Sequence, residues 1–217
     1  MSSFPPHLLE GYRAFTSQRL PTEQSRYRDL SVRGQSPEVM VIGCCDSRVS
    51  PEVIFDAGPG ELFVVRNVAN LVPVYAPDGG AHGVSAALEY AVRALKVKHI
   101  VVLGHAQCGG IRAFIDNSAP LTPGDFIGKW MSMFIKPGEK VEQRDHETMQ
   151  DFTTRIEKAA VFRSLENLMT FPFVRTLVER GELNLHGAYF GVAEGSLFVL
   201  DQVAKEFRSV REELASS

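Results

Sequence analysis

Hydrophobic residues follow two different patterns along this chain. Short and nearly uninterrupted apolar runs occupy 39–42, 62–65 and 100–103, and such runs are typical of strands that are covered on both faces. Between the second and third runs, positions 81–96 carry apolar residues at helical spacing. This order predicts a strand–helix–strand unit, in which the two strands are parallel.

The rest of the chain adds helices on one side and a hairpin on the other. An apolar stripe over 8–15 and a shorter one over 22–30, separated by Pro21, predict two N-terminal helices. A long amphipathic helix is predicted over 145–168. Segments 185–192 and 197–200 predict a hairpin whose turn contains Glu194 and Gly195.

These elements predict an α/β fold with a mostly parallel central sheet of about four strands. We expect an antiparallel strand at one edge and helices on its flanks. The chain of 217 residues and 24.0 kDa suits one domain. We expect that domain to span 1–217, with an N-terminal helical arm at 1–36 and an α/β core at 37–217.

Composition excludes several classes of protein. Hydrophobic residues make up 44% and charged residues 23%, which excludes disordered, collagenous and coiled-coil chains. The net charge of -3 provides no basic surface for nucleic acid. The chain carries no apolar run long enough for a bilayer and no secretory signal at its start, so we expect a cytoplasmic protein without a membrane partner.

Two motifs concentrate the residues that can do chemistry. The first apolar run ends in Gly-Cys-Cys-Asp-Ser-Arg at 43–48, and the third ends in Gly-His-Ala-Gln-Cys-Gly-Gly at 104–110. In open parallel sheets, ligands bind beyond the carboxyl ends of the strands, where the strand order reverses. If these two strands are neighbours, the two motifs share one crevice.

Cys44, His105 and Cys108 then form a set of ligands that suits zinc. Thiolate and imidazole favour Zn²⁺ over Mg²⁺ or Ca²⁺, and three protein ligands leave a fourth position open, as in catalytic sites. If the strand alternation persists, Cys45 points the other way, and we expect it to pack in the core. Asp46 can point the same way as Cys44.

The paired motifs Cys-x-Asp-Ser-Arg and His-x-x-Cys-Gly-Gly resemble those of the β-class carbonic anhydrases. The resemblance spans about residues 10–202 and includes the stretches 66–70, 87–92 and 168–174. It implies one zinc ion per chain, bound by the three ligands named above. It also implies reversible hydration of CO2 to bicarbonate and a proton by zinc-bound hydroxide, with Asp46 and Arg48 as catalytic residues.

The resemblance extends to a substrate pocket of the plant-like subtype. Gln35 is expected to bind bicarbonate, and an apolar slot for CO2 is expected from Phe63, Val68 and Tyr90. The backbone of Gly109 is expected to approach the substrate closely. Val41 stands where the other subtype has a tryptophan, so we expect the constitutively active form. The family's N-terminal arm embraces a second subunit, which implies a homodimer or a dimer-based higher oligomer.

Other functions remain open at this point. The same zinc centre could act on CS₂ or a similar small molecule, or the domain could be a zinc-bound sensor or scaffold without activity. A thiol oxidoreductase using Cys44 and Cys45 is a third alternative, although adjacent cysteines lack the usual spacing of a redox pair. Taken alone, Phe63, Val68 and Tyr90 are more often core residues than a substrate wall.

Overall fold

A computed structural model describes residues 4–117, 119–135 and 139–215. The chain forms two compact units, Met1–Ser36 and Pro37–Ser217. The first contains α1 (Pro6–Ala14), a π-helical turn (Phe15–Arg19) and α2 (Leu20–Arg33), and none of these residues is buried. The expected break at Pro21 is absent because this proline lies in the first turn of α2, where its missing N–H costs no hydrogen bond.

The second unit is built on one six-stranded sheet. Its strands are β1 (Val39–Cys44), β2 (Leu62–Asn67), β3 (His99–His105), β4 (Asn184–Gly191), β5 (Ser196–Asp201) and β6 (Glu206–Ser209). The order across the sheet is β2-β1-β3-β4-β5-β6. The first four strands of this order are parallel, and β5 and β6 are antiparallel.

The mostly parallel sheet and the β4–β5 hairpin confirm the sequence prediction. The sheet has one strand more than expected, because β6 pairs with β5 and takes the edge position. The four residues of β6 include a single apolar side chain, Phe207, so no alternating pattern marks them as a strand.

Seven helices of the second unit flank the sheet among the described residues. They are α3 (Pro51–Ile54), α4 (Gly83–Glu89), α5 (Gly109–Ile115), α6 (Phe126–Met131), α7 (Met149–Leu168), α8 (Pro172–Glu179) and α9 (Val210–Ala215). A π-helical turn, Tyr90–Leu95, extends α4 through the predicted helical segment. The start of α7 is set by Thr148, whose hydroxyl accepts a hydrogen bond from the Asp151 amide.

The helix α7 lies unusually close to β3 and β4 because two glycines face it. A Cβ atom on Gly104 would lie 2.6 Å from Cγ2 of Val161, and one on Gly187 would lie 3.0 Å from its Cγ1. Val161 is fully buried in this contact. Any side chain at Gly104 would therefore push the helix away from the sheet.

The strand order places a crevice between β1 and β3. The chain leaves β1 for β2 on one side and returns to β3 on the other, and β1 and β3 are hydrogen-bonded neighbours. The loops that follow their carboxyl ends therefore diverge at the switch point of the sheet. No helix in the described part of the chain has both the length and the apolarity to cross a membrane.

Candidate metal centre

The three predicted ligands come together at the switch point. Cys44 ends β1, His105 ends β3, and Cys108 caps the start of α5. All three are buried, and their ligand atoms lie within 4.8 Å of one another. The two Sγ atoms are 4.0 Å apart.

The imidazole of His105 presents one nitrogen to this centre. Its Nδ1 lies 2.9 Å from the carbonyl oxygen of Ala106, so Nδ1 carries the proton and donates it. Nε2 is then an acceptor, and it is buried without a hydrogen-bond partner among the described residues. A buried acceptor of this kind is costly unless something binds it, and a metal cation is a suitable partner.

The two buried thiols also favour a cation. The hydrogen bond between the two thiols lowers the pKa of Cys44 below its usual value and raises the pKa of Cys108 above its usual value. The pair thus accepts one negative charge readily, and a second only beside a positive ion. Two thiolates and an imidazole fit Zn²⁺, with a fourth position available.

The Asp46–Arg48 ion pair flanks the centre. Arg48 donates from Nε to Oδ1 at 2.9 Å and from Nη2 to Oδ2 at 2.7 Å. Nη2 also donates to the carbonyl of Gln107 at 3.1 Å, so the guanidinium bridges the two ligand loops. The same ion pair holds the pKa of Asp46 well below its ordinary value.

Two further residues support the ligand loops, and the motifs did not assign them a role. Arg66, half-buried on β2, donates from Nε to the Cys44 carbonyl at 2.8 Å and from Nη2 to the Asp46 carbonyl at 2.6 Å. Glu157, buried on α7, accepts the Cys108 amide proton at 2.9 Å. Burial raises the pKa of the Glu157 carboxyl.

A signal for Glu157 exists in the sequence. Ala160, Val161 and Leu168 follow it at helical spacing and are all buried. An acidic residue on the apolar stripe of a helix either pairs with a buried partner or carries a function.

The five predicted substrate residues lie in three places. Val68 and Gly109 line a cavity of about 970 Å³ next to the ligand loops. Phe63 and Tyr90 pack together with ring centroids 5.9 Å apart. Gln35 is exposed in the N-terminal unit, after the end of α2.

Phe63 lies well away from the metal ligands of its own chain. It is four residues before Asn67, the partner of Cys44 in the β1–β2 register. At the rise of a β-strand, this separation is about 13 Å. Phe63 therefore does not share a pocket with the metal ligands of its own chain.

Cys45 does not pack in the core, and that expectation is wrong. Its amide continues the pairing with β2 through the carbonyl of Asn67, at 3.0 Å. The residue is exposed, one position after β1 ends at Cys44. Cys45 is therefore a solvent-facing thiol.

The fold and the site together define a class: an α/β protein with a mostly parallel sheet and a Cys-His-Cys cluster that fits zinc at the switch point of that sheet. Residues 39–197 match the carbonic anhydrase family model. The chain is 38% identical over 194 residues to "Beta carbonic anhydrase 3" of Arabidopsis thaliana, covering 87% of this chain and 74% of the relative.

Solved structures agree with this match. The β-carbonic anhydrase CcaA superposes with a TM-score of 0.85 at 28% identity, covering 94% of this chain and 91% of that chain. One of two tetrameric β-carbonic anhydrases of the ascomycete Sordaria macrospora superposes with a TM-score of 0.75 at 29% identity. The match covers 90% of this chain and 95% of that chain. The chain belongs to the carbonic anhydrase family, in its β class. It is a zinc-dependent carbonate dehydratase, which converts CO2 and water reversibly to bicarbonate and a proton.

Proposed function

We propose that Asp46 and Arg48 carry the catalytic roles in this hydration, and that the cavity beside Val68 and Gly109 receives CO2. The observation that carries the proposal is the bidentate Asp46–Arg48 pair, which also bonds to the loop bearing His105 and Cys108. Zinc, when bound by the three ligands, supplies the Lewis acidity that makes water a nucleophile.

The hydrogen bonds of Asp46 determine what its carboxylate can still do. Oδ1 accepts from both the amide and Nε of Arg48, while Oδ2 accepts from Nη2. A carboxylate oxygen has two lone-pair positions, so Oδ2 retains one. We propose that this position accepts a hydrogen bond from the attacking oxygen and orients it, while Arg48 keeps the carboxylate ionised and fixed.

Stopped-flow CO2 hydration by zinc-loaded protein tests this assignment. Asp46→Asn keeps the shape of the side chain but loses one acceptor oxygen, and we expect kcat/KM to fall by about a hundredfold or more with zinc content unchanged. Asp116→Asn, at the exposed C-cap of α5, is the matched control and should keep the wild-type rate. Near-equal rates for Asp46→Asn and the wild type would remove Asp46 from the mechanism.

We further propose that the protein is a homodimer or a dimer-based higher oligomer. The N-terminal unit leaves Leu8, Leu9 and Tyr12 between 42% and 65% exposed, which is an apolar surface that a second copy would cover. The tetrameric Sordaria relatives support this assembly. It would also let Phe63 and Tyr90 of one copy complete the pocket beside Val68 of another.

The mass in solution tests the assembly. We expect at least twice the 24.0 kDa of one chain, by light scattering after gel filtration. Replacing Leu8 and Tyr12 together by Glu should yield monomers, because charges would enter the apolar contact. Val203→Glu, at a position that is 96% exposed on a turn, is the matched control and should leave the mass unchanged. A monomeric wild type would contradict the proposal.

We also propose a cytoplasmic location. All cysteines of the chain are free thiols, and Cys44 and Cys108 must stay reduced to bind zinc. A reducing compartment maintains that state. Cell fractionation with an antibody against the chain tests this location, and recovery in an oxidising compartment would contradict it.

A further inference from the structure

Glu157 is the one buried acidic residue among the side chains that the structure describes, with 3% of its surface exposed. Charge in a protein interior is costly unless every polar atom has a partner. The side chain lies against the loop that carries His105 and Cys108, and the substrate groups named above do not include it. Its placement needs a physical reason.

Both carboxylate oxygens of Glu157 are engaged. Oε1 accepts the Cys108 amide proton at 2.9 Å, and Oε2 accepts the hydroxyl proton of Tyr189 at 2.6 Å. Tyr189 lies on β4 and is itself 4% exposed. The carboxylate therefore ties the amide of a zinc ligand to a buried tyrosine on a neighbouring strand.

The elements that carry Glu157 and Tyr189 are tightly packed. Helix α7 is held against Gly104 of β3 through Val161, one turn after Glu157. The Tyr189 ring has Lys158 Nζ 5.3 Å from its centroid and Phe207 at 6.2 Å. Neither helix α7 nor Tyr189 can shift without disturbing this close packing, so the position of Glu157 Oε1 is well determined.

The loop that contains Gln107 and Cys108 needs a contact that keeps it in place. Gln107, directly before Cys108, adopts a positive φ of 57°, which is unfavourable for a residue with a side chain. The Cys108 amide has Glu157 as its side-chain partner, and Cys108 Sγ faces Cys44 at 4.0 Å. The contact therefore fixes the direction from which the sulfur approaches the metal.

We infer that Glu157, supported by Tyr189, is a positioning residue that sets the zinc affinity and the ligand geometry of Cys108. It acts through the length and direction of its hydrogen bond to the amide. The inference depends on zinc binding by Cys44, His105 and Cys108, and on no assumption about Asp46 or Arg48.

Three variants separate hydrogen-bond geometry from charge. Glu157→Gln keeps the length and an acceptor oxygen but loses the charge, whereas Glu157→Asp keeps the charge and is one methylene too short. Zinc dissociation constants come from competition with a chelator. We expect Glu157→Ala and Glu157→Asp to bind zinc about 10- to 100-fold more weakly, and Glu157→Gln to remain within about threefold of the wild type.

The absorption spectrum of the cobalt-substituted protein reports the ligand geometry directly. We expect the thiolate-to-cobalt and d–d bands to shift in Glu157→Asp and to stay in place in Glu157→Gln. Leu168→Ala, at the C-terminal end of α7 and fully buried, is the matched control. It should lower Tm without moving the spectrum or the zinc affinity.

Two results would overturn the inference. One is stronger zinc binding by Glu157→Asp than by Glu157→Gln, which would assign the effect to charge. The other is wild-type affinity and spectrum in both variants. This comparison decides the question even if Glu157→Ala fails to fold. The zinc content of the wild type tests the metal centre separately. A wild-type protein that holds much less than about one zinc per chain would overturn the metal centre itself.

Discussion

The two loops that supply the metal ligands differ in how they are held. The loop at the end of β1, residues 44–48, is supported by a half-buried cation, Arg66, and ends in the Asp46–Arg48 ion pair, whose arginine is exposed. The loop after β3, residues 105–108, is supported by a buried anion, Glu157. The first loop supplies one ligand and the Asp46–Arg48 pair, and the second supplies two ligands.

The two loops therefore differ in what they contribute to the site. The buried loop determines where the metal lies, because its ligands are fixed by packing around α7. The more exposed loop holds Asp46 and Arg48, the polar groups that we propose act on water and CO2, and such groups need access to solvent and substrate. Substitutions at Glu157 and Cys108 should therefore change zinc binding, and substitutions at Asp46 and Arg48 should change the rate.

The largest effect should come from removing a ligand of the buried loop. We expect Cys108→Ala to lose nearly all of its zinc and with it CO2 hydration, because two remaining ligands hold Zn²⁺ poorly. Cys45→Ala is a matched control from the exposed loop, and it should keep both. Elemental analysis of the purified proteins measures the zinc content. Retention of about one zinc per chain by Cys108→Ala would contradict the assigned ligand set.

The difference between the two loops also explains which parts of the site the sequence could predict. The ligands were predictable because Cys44 and His105 end apolar runs, and parallel strands bring such ends together. The strand order that makes β1 and β3 neighbours was a condition of that prediction, and the structure meets it.

The supporting residues were harder to predict. Arg66 donates to backbone carbonyls at the end of β1 and in the loop after it, and no pattern along the chain encodes which carbonyls it will reach. Glu157 bonds an amide 49 residues away, through the close approach that Gly104 permits. The exposure of Cys45 depends on where β1 ends, and periodicity fixes strand ends only loosely.

An intermediate effect should follow from loosening the exposed loop at Arg66. Arg66→Ala leaves the Cys44 and Asp46 carbonyls without their side-chain donor, and we expect zinc to bind about tenfold more weakly. Arg66→Lys restores one donor of the two and should lie between Arg66→Ala and the wild type. Chelator competition measures both. Equal affinities in all three proteins would show that the loop keeps its shape without this arginine.

The smallest effect should be that of the exposed ion pair on stability, despite its proposed importance for rate. The side chain of Arg48 is 43% exposed and that of Asp46 is 17% exposed, so solvent screens part of the pair's contribution to stability. We expect Asp46→Asn to change Tm by less than about 3 °C.

The pH dependence of this small difference has a definite sign. Arg48 lowers the pKa of Asp46 below its ordinary value of 3.8, so folding favours the ionised carboxylate. Its contribution is complete above that ordinary value and is lost as the pH falls toward the lowered one. The Tm difference between the wild type and Asp46→Asn should therefore be constant from pH 6 to pH 8, measured by circular dichroism. A difference that grows across this range would mean that the carboxylate titrates near neutrality, and that Arg48 does not hold it ionised as the geometry indicates.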